Sequence, residues 1–177
     1  MKPKYKLGDV VFFNNDSIYS KLILMYNRIV YYDKGWSHVG IITEINKDTV
    51  LIHEALSNGF NPNHYDKEYL EGRIEEGSVM IKRPKKKLEE VRFWADEYLG
   101  RPYAWWDIIG IGLSLFLKLP IGLTGAKKLI CSEAVARVLY DCSNKKINFE
   151  EEFNKRYDYI TPTDLAVSKQ LKWATWE

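Results

Sequence analysis

The chain has few of the residue types by which catalytic and metal-binding proteins are usually recognised. It contains two cysteines and three histidines in 177 residues. No pair of them falls at C-x2-C or H-x3-H, which excludes the common zinc frameworks, and no metal or other cofactor is expected. Two cysteines do not make a disulfide scaffold. If Cys131 and Cys142 share a helix, about 1.5 Å per residue separates them by roughly 16 Å, beyond disulfide reach. Both are expected as free thiols, which suits a reducing compartment. Neither sign of charge dominates: 26 basic and 24 acidic residues leave a net +2, so the chain as a whole is not built for polyanions and no nucleic acid is expected as partner. The local exception, "KRPKKK" (Lys82–Lys87), reads as a solvated loop before a helix. "GIGLSL" (Gly110–Leu115) lacks the third glycine and preceding strand of a dinucleotide loop.

Long hydrophobic runs are missing too. Val10–Phe13 near the N-terminus is far shorter than a signal-peptide core of about 7–15 residues, so a cytoplasmic location is expected. The segment 108–126 is interrupted by Lys118 and Pro120, leaving an apolar core of about ten residues, half of what a spanning helix needs. It reads as a buried or cleft-covering segment, with peripheral membrane contact as the alternative.

What is present describes one compact domain over residues 1–177. Hydrophobic residues make up 46% and charged residues 28%, an ordinary globular balance. Several of the six tryptophans are expected to line a cleft.

"GDVVFF" (Gly8–Phe13) predicts a short strand, and "DSIYSKLILMYNRIV" a helix capped by Asp16 or Ser17. "SHVGIITEI" (Ser37–Ile45) and "TVLIHEAL" (Thr49–Leu56) are separated by three turn-forming residues and predict an antiparallel hairpin. Residues 57–77 are polar and turn-rich, predicting a loop with at most a short helix. Ser78–Arg83 reads as a strand stopped by Pro84, and Lys87–Gly100 as an amphipathic helix. "LICSEAVARVL" begins a further helix, and "TPTDLAVS" a short capped one. The order predicts an α+β fold with helices gathered on one side of a small antiparallel sheet.

Chemistry then rests on a thiol and an imidazole. Cys131, Ala134, Val135, Val138, Leu139 and Cys142 form one helical stripe. Cys142 is most simply a small buried hydrophobe. Cys131 stands at the helix N-terminus, where backbone N–H groups and the helix dipole favour a thiolate and can hold an oxyanion. His38 is the candidate base. Residues 36, 38, 40 and 42 are expected on one strand face, with Gly40 leaving room and Trp36 walling the cleft. His53 and Glu54 on the neighbouring strand point to opposite faces, so only one can meet His38. Glu54 is favoured, because a carboxylate fixes the tautomer and stabilises the imidazolium. His53 reads as a satisfied structural histidine.

"GDVVFF", "SHVGIIT", "HEA", "LGRPYAWWD" and "LICSEAVARVL", in that order, resemble the circularly permuted branch of the NlpC-type papain-like cysteine hydrolases, the YiiX-like subgroup, over nearly the whole chain. In that branch the histidine strand precedes the cysteine helix. The resemblance implies a permuted papain-like fold: a small antiparallel sheet or half-barrel packed against helices, with the nucleophile at a helix N-terminus. It implies a triad of Cys131, His38 and Glu54, with Tyr103 near the nucleophile as an oxyanion donor. The expected activity is that of a cysteine peptidase or amidase, cleaving an amide, peptide or thioester bond in a small peptide or acylated amine through a Cys131 acyl-enzyme. Lipid acyl transfer, known in relatives of the same superfamily, and a non-catalytic binding module are the alternatives.

Overall fold

A computed structural model of the chain describes residues 3–14, 35–102 and 130–175. The helix expected over 16–30, Tyr103 and the segment 108–126 lie outside them. The described strands form one antiparallel sheet of six: β1 (Val10–Phe13), β2 (His38–Ile45), β3 (Thr49–Leu56), β4 (Gly59–Asp66), β5 (Val79–Pro84) and β6 (Leu171–Trp173), in the spatial order β4-β3-β2-β1-β5-β6. β2 and β3 are the predicted hairpin, with Gly40 opposite Glu54 and Ile41 opposite His53. The register shifts between Ile42 and Glu44, a bulge that re-aims Thr43.

The polar stretch 57–77 is not a loop. β4 pairs with β3 along its whole length, from Leu56 opposite Gly59 to Thr49 opposite Asp66, and runs directly into helix α1 (Lys67–Glu75). β4 is an outer strand of the sheet, where polar side chains meet water and Pro62 loses nothing by lacking an N–H.

The remaining helices are α2 (Val91–Asp96), α3 (Cys131–Cys142), α4 (Phe149–Phe153) and α5 (Pro162–Val167). α2 is shorter than the sequence suggested. Glu90 takes a left-handed conformation at φ 51°, which a helix cannot contain. The residues before it are used for docking: the Glu89 N–H bonds the Cys142 carbonyl at 2.8 Å, and Leu88 fills the space beside Gly8, where a Cβ would stand 2.2 Å from Leu88 Cδ1. α5 opens with a full capping box between Thr161 and Asp164 and carries Pro162 in its first turn.

Alternation along the strands divides the core in two. On one side Phe12, Ile41, Ala55 and Phe60 pack with Val135, Leu139, Ile160 and Leu165. On the other Val11, Ile42, Ile52 and Ile81 pack with Leu70 of α1. The helices are therefore not all on one side. α1 covers the second face through Leu70, which is fully buried and contributes roughly 1.5–3 kcal/mol.

The basic run is not simply a solvated loop. Lys82 is buried, its Nζ donating to the Ala166 carbonyl, and Arg83 grips the fully buried Asp9 through Nε at 2.8 Å and Nη2 at 2.9 Å. Lys85, Lys86 and Lys87 are exposed. Among the described residues no helix is long and apolar enough to cross a membrane.

Candidate active site

His38 opens β2 and Cys131 opens α3, so the two meet at element ends. The helix start is built by its own sequence. The N-cap, Ile130, has an extended backbone and no capping side chain. Glu133, at the third helical position, receives the Ile130 backbone N–H, half of a capping box, and is tied to Arg137 at 2.9 Å. Ser132 donates to the Ile160 carbonyl. These bonds anchor the residues after Cys131, while Ala134, Val135 and Val138 bury the helix face.

The imidazole lies between the thiol and a carboxylate. His38 Nε2 donates to Glu54 Oε2 at 2.7 Å, and the Cys131 side chain is hydrogen-bonded to the same ring. With Nε2 committed to Glu54, Nδ1 is the nitrogen that faces sulfur. All three side chains are buried. Burial by itself would push the imidazole down; the charge of a Cys131 thiolate, its hydrogen bond and the Glu54 carboxylate outweigh this and hold His38 above its ordinary value, at about 10.

Glu54 is held by more than His38. Its Oε1 accepts from the Tyr65 hydroxyl at 2.6 Å and from Asn63 Nδ2 at 3.1 Å, both on β4. A loop over 57–77, as its composition predicts, hides these residues. The available signal was the alternation Asn61, Asn63, Tyr65 within "GFNPNHYD", masked by its turn-forming composition.

His53 faces the other way. Thr43 Oγ1 lies 2.8 Å from Nδ1, and Asp96 Oδ1 3.0 Å from Nε2. With the hydroxyl donating and Nε2–H donating, a neutral ring is satisfied at both nitrogens. Burial lowers its pKa despite Asp96. Trp36 does not share a face with His38. It precedes β2, its N–H bonds Thr163 Oγ1 at 3.0 Å, and its ring lies 6.1 Å from Phe12. His38 packs against Phe13, at 5.8 Å, whose side chain points to the opposite side of β1. Strand alternation does not extend through the bend at Ser37. Cys142, at the far end of α3, is buried, and burial raises its thiol to about 12.

A six-stranded antiparallel sheet with helices on both faces, in which the histidine strand β2 precedes the cysteine helix α3, is an α+β fold also seen among solved structures. The chain is similar to the metalloprotein yiiX from Escherichia coli O157:H7, with a TM-score of 0.59 and 18% identity, over 100% of this chain and 99% of that one. That likeness shows a YiiX-like fold. No protein-family model matches the chain, and no curated protein matches it.

Proposed function

We propose that the protein is a cysteine hydrolase of peptidase or amidase type on a permuted papain-like fold, with Cys131 as nucleophile, His38 as base and Glu54 as the residue orienting the base. The observation that carries this reading is the buried imidazole bonded to a thiol on one side and, at 2.7 Å, to a carboxylate on the other. Glu54 fixes the proton on Nε2, which leaves Nδ1 to take the thiol proton. The thiolate at the start of α3 attacks a carbonyl carbon, and the oxyanion is received by the Cys131 N–H, with Tyr103 as the second donor that the family resemblance implies. The imidazolium returns its proton to the leaving amine or thiol. Water, deprotonated by His38, then cleaves the acyl-enzyme and frees Cys131. Small peptides, acylated amines and thioesters are the substrates such a centre accepts.

The structural neighbour is described as a metalloprotein. Among the described residues of this chain no group of three or more His, Cys, Asp or Glu side chains converges as metal ligands do. These residues do not fit a metal site.

The test needs no substrate. Iodoacetamide alkylation of Cys131, followed by mass spectrometry against pH with Cys142 as internal control, should proceed well below the range of a free thiol near about 8.5. His38→Ala should remove that advantage. If Cys131 is as inert as Cys142 in the folded wild type, the hydrolase reading fails and a binding module replaces it.

A further inference from the structure

We propose that Tyr65 and Asn63 are positioning residues, a two-donor clamp on β4 that holds the Glu54 carboxylate against His38. This rests on the reading of Cys131, His38 and Glu54 as a triad. A carboxylate on a strand can rotate about its last torsions, and only one of its oxygens is needed by the imidazole. In Glu54 that oxygen is Oε2. The other, Oε1, is held by the Tyr65 hydroxyl at 2.6 Å and the Asn63 amide at 3.1 Å.

The register makes this arrangement specific. Asn61 lies opposite Glu54, and Asn63 and Tyr65 lie two and four positions further along β4, opposite Ile52 and Val50. Period-two alternation puts all three on the face that Glu54 uses. Asn63 reaches Glu54 as a diagonal neighbour. Tyr65 reaches it by its length, its ring held 5.7 Å from Phe13 and stacked at 6.3 Å with Tyr69. Phe13 in turn lies 5.8 Å from His38. Tyr65, Phe13, His38 and Glu54 therefore close a circuit of contacts.

Glu54 is 1% exposed, and buried charge needs partners that do not relax away. The clamp supplies two donors besides the imidazole. Burial and the charge of Glu54 raise the Tyr65 hydroxyl, so it stays a donor throughout the working range. Were Tyr65 there for packing alone, a phenylalanine would serve equally well.

The test reads the imidazole directly. In a Cys131→Ala background the thiolate is gone, and the His38 titration followed by NMR reports the Glu54 contact. Adding Glu54→Gln should lower its pKa by about 1–3 units, the range for loss of a close opposite charge. Tyr65→Phe, which keeps the ring stacking, should lower it by about one unit, and Asn63→Ala by less, in the same direction. Circular dichroism checks that each variant folds; if Tyr65→Phe does not, Asn63→Ala alone decides. A His38 titration unchanged or raised in the clamp variants overturns the proposal. Failure of the triad reading appears separately, in the alkylation of wild-type Cys131, and leaves this titration readable.

Discussion

The protein holds two buried histidines, each paired with a carboxylate, on opposite faces of the same hairpin, and they behave oppositely. His38 meets Glu54, which is fully buried and clamped by two further donors. His53 meets Asp96, whose side chain is 38% exposed and shared with Arg92 at 3.1 Å. The first imidazole is raised and the second lowered. A histidine beside a carboxylate is thus not in itself a charged or reactive histidine. What decides is whether the carboxylate is dry, whether another cation competes for it, and what faces the second ring nitrogen. For His53 that is a threonine hydroxyl, which completes a neutral ring; for His38 it is a thiol, which can give up a proton.

The largest break in this comparison should come from His38→Ala, which lowers Cys131 alkylation at pH 6 on the order of a hundredfold, as expected when a free thiol near pKa 8.5 replaces a thiolate. Glu54→Gln should lower the same rate about tenfold, equivalent to about one pKa unit. Thr43→Val strands Nδ1 of the buried His53 and should cost about 1–3 kcal/mol of stability in urea, with the Cys131 profile unmoved. Asp96→Asn should cost at most about 1 kcal/mol, as for a half-exposed pair, and leave alkylation within about twofold of wild type.

Stability against pH separates the two histidines by sign. His38 binds its proton more tightly when folded, but up to about 8.5 that proton is balanced by the one Cys131 has given up, so the pair's contribution is lost only as pH rises from there towards about 10. His53 binds its proton less tightly when folded, so its neutral form favours the native state above about 6.5 and this is lost as pH falls below that value. Urea midpoints measured from pH 5 to about pH 10 should therefore fall at both ends. His38→Gln should flatten the alkaline side and His53→Gln the acid side; variants that leave both limbs intact would sink the assignment.

Much of this contrast was legible in the sequence. Opposite faces for His53 and Glu54 follow from strand period alone, and the hairpin that sets them against β2 follows from the three turn residues between two β-rich runs. The stripe from Cys131 to Cys142 and the capping box at Thr161 are local signals and were equally plain. What sequence could not supply were consequences of strand order. β4 has the composition of a loop because an outer strand tolerates it, so the partners of Glu54 on that strand stayed hidden. Asp9 and Arg83 are separated by 74 positions and meet because β1 and β5 are neighbours. The early end of the 87–100 helix depends on Glu90 turning left-handed so that Leu88 can pack beside Gly8, a tertiary decision that overrides local propensity.

Chain order has a consequence for synthesis. The imidazole, its carboxylate and both clamp residues lie within residues 38–65, whereas the thiol is at position 131. At about 5–20 residues per second, several seconds pass on the ribosome between completion of the receiving half of the centre and arrival of its sulfur. On the proposed reading, the nascent chain therefore carries the base and its carboxylate before the nucleophile exists, and the centre is complete only once the helix bearing Cys131 joins a sheet whose first five strands have already been made.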